Sequence, residues 1–239
     1  MNLTPCIRVA LAGALLLCAS LAQASIQLGA TRVVLAAPAH EVTVPVNNKI
    51  AQDTMIQSWI EGEDDAAGQD VPFAVTPALS RLGGNQQQTL RIFYQGQGLP
   101  TDKESVFWLS VQEIPQKAKG ENVLQIAVRQ RIKVFYRPAG LEGKPEDAAK
   151  ALRWQWSTQD GKPALRVSNA SSYHVSVTSA ALKDGDRRHA LETRMVAPGA
   201  TVVFPLKDGA ARPAANATVS FQYVNDYGGV DQLDATPSR

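Results

Sequence analysis

Val123-Leu124-Gln125-Ile126-Ala127-Val128-Arg129-Gln130-Arg131-Ile132-Lys133-Val134-Phe135-Tyr136 is the stretch that decides the fold. Leu124, Ile126, Val128, Ile132, Val134 and Tyr136 fall on even positions, whereas Arg129, Arg131 and Lys133 fall on odd ones. A period of two sends these sets to opposite faces of a strand. About 14 residues is long beside the usual five or six. At ~3.3 Å per residue it spans roughly 46 Å, more than a small sandwich needs, so one end is expected to overhang. An overhanging edge with Leu, Ile and Val on one face is a template for pairing with another chain. Arg137-Pro138-Ala139-Gly140 then breaks the pattern, because Pro and Gly disfavour a continued strand.

Outward from this strand, the same period recurs. Strands are expected over Ser25 to Leu35, Glu41 to Val46, Thr54 to Ile60, Gln88 to Tyr94 and Ser105 to Glu113. Past the break, Glu146 to Leu152 reads as a short helical turn. Strands resume over Arg153 to Ser157, Ala164 to Asn169, His174 to Ala181, Met195 to Phe204 with a Pro198-Gly199 turn, and Val219 to Val224. Asp160-Gly161, Asp184-Gly185, Asp208-Gly209 and Gly228-Gly229 punctuate them. Short strands at this spacing, in two blocks of about 100 residues, predict an all-β chain of two β-sandwiches. The expected divisions are 1–24, 25–137 and 138–239.

The N-terminus sets the compartment. Arg8 closes a short cationic start, Val9 to Leu21 is too short an apolar run to span a bilayer, and Ala22-Gln23-Ala24 is an A-x-A cleavage pattern. Residues 1–24 are therefore read as a signal peptide, with Ser25 as the first mature residue. Leu17 is bulky for lipid attachment at Cys18. Both cysteines, Cys6 and Cys18, lie in the signal, so an exported mature chain would carry no disulfide and would depend on packing. The formal net charge of +2 offers no cationic excess for nucleic acid.

Enzyme patterns are missing from the sequence: it has no G-x-S-x-G elbow, H-E-x-x-H, P-loop or strand-linked G-x-G-x-x-G. His40, His174 and His189 lack metal-ligand spacing. Asp184-Gly185-Asp186 is read as a hairpin turn rather than a calcium loop. Asn169-Ala170-Ser171 and Asn216-Ala217-Thr218 match a glycosylation sequon but read as loop or strand-end polar residues. Arg32 is conspicuous, since in Ile26-x-Leu28-x-Ala30-x-Arg32-x-Val34 it shares the apolar positions. Either it meets a partner or a cleft, or the strand leaves the core there and water solvates it. Asn225-Asp226-Tyr227-Gly228-Gly229 reads as a turn after an apolar strand.

Together these segments resemble the PapD-like periplasmic chaperones of the chaperone–usher pilus pathway. Leu99-Pro100-Thr101-Asp102-Lys103-Glu104-Ser105-Val106-Phe107-Trp108-Leu109-Ser110-Val111-Gln112-Glu113-Ile114-Pro115 is similar to the family signature, departing at Ser110 where Asn or Cys is usual. Thr31 to Val34, Ile56 to Ile60, Arg131 to Pro138 and Tyr223 to Gly229 are further matches, in the family's order. The resemblance implies two immunoglobulin-like domains in an L or boomerang with an interdomain cleft. It implies donor-strand complementation: the chaperone lends a strand to an incomplete pilus subunit, keeps it folded, and passes it to the outer-membrane usher. On that basis Arg32 and Lys133 match the pair that holds the subunit's C-terminal carboxylate. Leu124, Ile126 and Val128 match donor-strand residues, and Glu104, Arg137 and Asp226 match an interdomain charge network. The short 116–121 segment resembles the short-loop branch. The expected protein is periplasmic and not inserted in a membrane. It binds neither nucleic acid nor any cofactor or metal, and exists as a monomer or weak self-dimer. A secreted two-domain binding or adhesion module would keep the apolar edge without needing Arg32 and Lys133 together. A periplasmic enzyme would need a nucleophile or metal set that the sequence lacks.

Overall fold

In the computed structural model, residues 25–62, 71–115, 126–207 and 216–238 are described. The proposed signal, the 116–121 segment and Leu124 lie outside them.

The first half of the chain builds two facing sheets. One has the order β1 (Ile26–Leu28), β3 (Glu41–Asn48), β7 (Gln87–Tyr94), β5 (Phe73–Thr76). The other runs β2 (Arg32–Ala36), β9 (Arg129–Arg137), β8 (Ser105–Ile114), β4 (Thr54–Glu61), β6 (Leu79–Leu82). Their inner faces bury Ile26, Val33, Val44, Val46, Ile56, Leu90, Ile92, Leu109, Val111 and Val134, as alternation predicts for a sandwich. The second half starts with a helix, α1 (Pro145–Lys150), which buries Ala148 and Ala149. A sheet of β10 (Arg153–Gln159), β11 (Lys162–Ser168) and β15 (Thr201–Pro205) follows. It faces β13 (Arg187–Leu191), β12 (Val175–Asp184), β16 (Thr218–Val224) and β17 (Val230–Ala235), with β14 (Met195–Val196) also on β12. Trp154, Leu165, Val167, Leu182, Phe204, Val219 and Phe221 form this separate core.

Two expectations need correction. Ser25 to Leu35 is two strands. β1 pairs antiparallel with β3, and β2 pairs parallel with β9 in the other sheet. The crossing occurs at Gly29, whose N–H donates to the Pro45 carbonyl at 2.8 Å. A Cβ at Gly29 would lie 2.4 Å from Pro45 Cγ, so only glycine passes there. The crossing reverses the inward parity: Ile26 is buried before it, Val33 and Leu35 after it. Arg32 is therefore not on an apolar face. It points to the opposite side of the sheet.

The long strand is also shorter than expected. Pairing begins at Arg129 and ends at Arg137. Its partner β8 stops at Ile114, just before Pro115, and the last bond of the ladder runs from the Glu113 N–H to the Val128 carbonyl at 3.0 Å. Ile126 to Val128 lie outside the strand: Val128 keeps that one bond to β8, and Ile126 falls beyond the end of β8.

Sequence reading also passed over four strands. β5 and β6 are four residues each, on either side of Pro77, and β13 and β17 are largely polar strands beside or at a sheet edge. Asp184 pairs with Arg187, so Gly185-Asp186 closes the expected hairpin. Asn169 is buried and donates to the carbonyls of Tyr173, Val196 and Ala197 at 2.7, 3.1 and 3.1 Å. It is a loop organiser.

Candidate functional site: a cationic pair in the interdomain cleft

Parallel pairing of β2 with β9 sets Arg32 directly beside Lys133. Antiparallel pairing sets Trp108 on the other side of Lys133, and Glu61 beside Trp108. Opposed residues share a face, so Glu61, Trp108, Lys133 and Arg32 form one row across the sheet. Both cations of the row reach the second domain. Arg32 donates through one terminal guanidinium nitrogen to the Val224 carbonyl at 2.8 Å, and Lys133 Nζ donates to Ser176 Oγ at 3.3 Å.

Aromatic rings support the cations. The Arg32 guanidinium lies 5.6 Å from the Phe135 ring centre, and Lys133 Nζ lies 5.4 Å from that of Trp108. Such contacts orient the two cations. Arg131 packs over the opposite part of this layer, 4.4 Å from Trp108, and pairs with Glu61 at 3.3 Å. Glu61 in turn accepts from Ser110 Oγ, so the departure at Ser110 still supplies a buried donor. Arg32 Nε is buried without an acceptor. Burial lowers the Arg32 pKa from the ordinary arginine value, and the Asp226 and Glu104 carboxylates oppose that shift. An incoming carboxylate would give Nε a partner and add to that opposition.

Behind the pair, Arg137 joins the two domains. Its Nε and one terminal nitrogen donate to Glu104 Oε1 at 3.1 and 2.7 Å. Its terminal nitrogens also donate to Asp226 at 2.8 and 3.2 Å. Burial disfavours the Arg137 charge, but the bonds to Asp226 and Glu104 outweigh it and raise its pKa above the ordinary value. Glu104 Oε2 accepts from the His174 N–H at 2.8 Å and lies 3.0 Å from His174 Nδ1. The structure thus brings together both expected polar groups, Arg32 with Lys133 and Glu104 with Arg137 and Asp226.

The β16–β17 turn presents Asp226 to Arg137. Asn225 Oδ1 accepts from the N–H groups of Tyr227 and Gly229 at 3.1 and 2.9 Å. The tip approaches the first domain so closely that a Cβ at Gly228 would lie 2.3 Å from Thr31 Oγ1. A cavity of about 90 Å³ lies between Arg32, Phe135, His174, Tyr223 and Asp226.

Ile126 and Val128 stand just ahead of the start of β9, 69% and 40% exposed. Sequence reading missed Trp108, Phe135, Ser176, His174 and Glu61. Trp108 and Phe135 had a usable signal, since strand alternation puts them on the cationic face. The contribution of Ser176 and His174 depends on how the domains meet, which no local pattern encodes.

Residues 25–142 match the N-terminal domain of the PapD pili and flagellar-assembly chaperones, and residues 147–235 match the C-terminal domain of the pili assembly chaperone PapD. The probable fimbrial chaperone YadV of Escherichia coli K12 is 39% identical over 221 residues, covering 89% of each chain. The chaperone FimC of the same strain is 37% identical over 214 residues, covering 87% of this chain and 82% of its own. A crystal structure of YadV aligns with a TM-score of 0.78 at 37% identity, covering 89% of this chain and 99% of that one. The SafB chaperone of Salmonella enterica, solved with the SafA pilin, aligns with a TM-score of 0.75 at 27% identity over 91% of this chain and 98% of that one.

Proposed function

Since the chain belongs to the PapD family of pilus-assembly chaperones, we propose that Arg32 and Lys133 hold the C-terminal carboxylate of a pilus subunit while residues ahead of β9 fill the subunit's groove. The protein is a chaperone of pilus subunits, in a non-enzymatic family. On this proposal the chaperone acts in the periplasm and delivers the subunit to an outer-membrane usher.

The observation that carries the proposal is the Arg32–Lys133 register at the cleft, with exposed Ile126 and Val128 just ahead of the start of the same strand. A strand added to an edge can slip by two residues and keep its facing, and apolar burial alone penalises that only partly. A fixed cationic pocket catches the chain end, so it sets which donor residue meets which part of the groove. Each charge-assisted hydrogen bond there is worth roughly 1.5–3 kcal/mol. Full burial of each apolar side chain contributes roughly 1.5–3 kcal/mol before ordering costs. Leu124 belongs to the proposed donor set on its sequence position alone. The 25–137 and 138–239 division is proposed as the functional one, since Arg137 ends the strand that would present both sites. Support for export comes from the Ala22-Gln23-Ala24 pattern. No helix among the described residues is long and apolar enough to cross a membrane.

The test uses a peptide copying a subunit's C-terminal strand. Amidating its carboxylate should weaken binding to wild type and hardly affect Arg32→Ala/Lys133→Ala. Equal weakening in both proteins would show that the carboxylate is read elsewhere. Ile126→Asp should abolish subunit capture with the chaperone still folded, and unfolding instead would make Ile126 ordinary core.

A further inference from the structure

A buried carboxylate that the cleft does not use sits at the opposite end of the first domain. Glu113, near the end of β8, is 8% exposed. It accepts from Thr54 Oγ1 at 3.1 Å and from Ser25 Oγ. Among the described residues no lysine, arginine or histidine forms an ion pair with it. Two hydroxyls satisfy its oxygens as neutral donors, but a carboxylate removed from water is costly without a cation.

Ser25 is the residue that cleavage after Ala22-Gln23-Ala24 turns into a chain end. We infer that Glu113 is the docking site for the α-ammonium group of Ser25, created when the signal is removed. In that step water adds across the bond between the Ala24 carbonyl carbon and the Ser25 nitrogen, on a peptidase that processes exported chains. Ala24 departs as a carboxylate, and the Ser25 nitrogen, formerly a neutral amide, becomes an amine. With an ordinary pKa of about 7.7–8.0, the amine takes a proton from solvent at neutral pH and becomes the missing cation.

The geometry suits this exchange. The nitrogen and Oγ of one serine are three bonds apart, about 3–4 Å, and that Oγ already touches Glu113. The residue is held in place. Its carbonyl accepts from the Lys49 N–H at 2.8 Å, Ile26 is buried and pairs with Asn48, and Gln130 Nε2 donates to the Ile26 carbonyl at 2.7 Å. Ser25 leads through β1 and Gly29 to β2, the strand that carries Arg32. Signal removal thereby anchors the strand that presents the cleft arginine, so a processed chain has a firmer Arg32 than an unprocessed one.

The test compares the exported protein, its N-terminus checked by mass spectrometry, with the same protein acetylated on the α-amine, in wild type, Glu113→Gln and Ser25→Gly. Acetylation should lower the folded-to-unfolded ratio of wild type at least tenfold in denaturant titration. It should leave Glu113→Gln unchanged. Ser25→Gly keeps the amine and loses the hydroxyl, so acetylation should cost it as much as wild type, which decides the matter if Glu113→Gln does not fold. Wild type indifferent to acetylation, an equal loss in Glu113→Gln, a smaller loss in Ser25→Gly, or a mature chain starting elsewhere would each overturn the assignment.

Discussion

Replacing Arg137 by alanine should loosen the two domains and destabilise the chain by about 3 kcal/mol. The figure follows from where the charges sit. The side chains of Arg137, Glu104 and Asp226 are 16%, 2% and 29% exposed. Removing one partner of a buried ion pair typically costs about 3–5 kcal/mol, because the other is left charged and unpaired. Asp226 can recover water, so most of the cost falls on Glu104. Glu104 keeps the His174 N–H at 2.8 Å and the Nδ1 contact at 3.0 Å, which puts the expectation at the lower end of that range. For a chain of this length, about 3 kcal/mol lowers Tm by about 6–12 °C. Arg137→Lys should restore only part of this, since an ammonium cannot serve two carboxylates through a planar fork. Calorimetry measures the loss, and solution scattering should show a wider spread of interdomain angles. A loss below about 1 kcal/mol with unchanged scattering would match solvated ion pairs and refute the hinge argument.

Gly228→Val should open the cleft more than Gly228→Ala, because Gly228 combines φ of +83° with a 2.3 Å approach to Thr31; scattering on both variants checks the order. Asn169→Ala should cost about 1–3 kcal/mol for each buried carbonyl left without water or another donor, read by denaturant titration, and should leave peptide binding by the first domain intact. Burial raises the pKa of Tyr94, Tyr173 and Tyr223. The stability tied to their neutral forms is complete below the unfolded value of about 10 and is lost as pH rises through the folded values. Ultraviolet titration should find them ionising later than in the denatured chain.

The parts of this molecule legible in sequence are those governed by local alternation. β3, β4, β7 and β8 declare themselves because one face is buried and the other is not. β9 declared its faces correctly but not its start, because a strand's length depends on its neighbour and β8 ends before Ile126 has a partner. Arg32 stands out in the sequence for a reason that the fold removes. Its apparent place among apolar residues assumed one continuous strand, and the chain's change of sheet at Gly29 reverses every position beyond. The grouping of Arg32 with Lys133, and of Glu104 with Asp226, came from family resemblance. Spacing could not have supplied it, since residues 101 and 122 positions apart meet only through pairing and domain contact. His174 had no signal at all: a lone histidine acquires a role only when Glu104 arrives from the other domain.

The hinge and the cationic pair are one electrostatic unit. Asp226 binds Arg137 directly, and its charge also opposes the burial-driven fall in the Arg32 pKa. Arg32 and Lys133 each take one ligand from the second domain, the Val224 carbonyl and Ser176 Oγ. A change in domain angle therefore removes support from both cations together and weakens the field that stabilises Arg32. With the hinge closed, Phe135 and Trp108 hold the cations in place, and a carboxylate entering the cleft meets donors whose orientation has already been set. That lowers the ordering cost of binding. If Arg32 and Lys133 hold the subunit's carboxylate as proposed, the hinge network is a determinant of affinity although none of its residues needs to touch the bound chain. On this account Arg137→Ala should weaken binding of a free-carboxylate peptide but change binding of the amidated peptide much less. Equal weakening of both would separate the hinge from the carboxylate site.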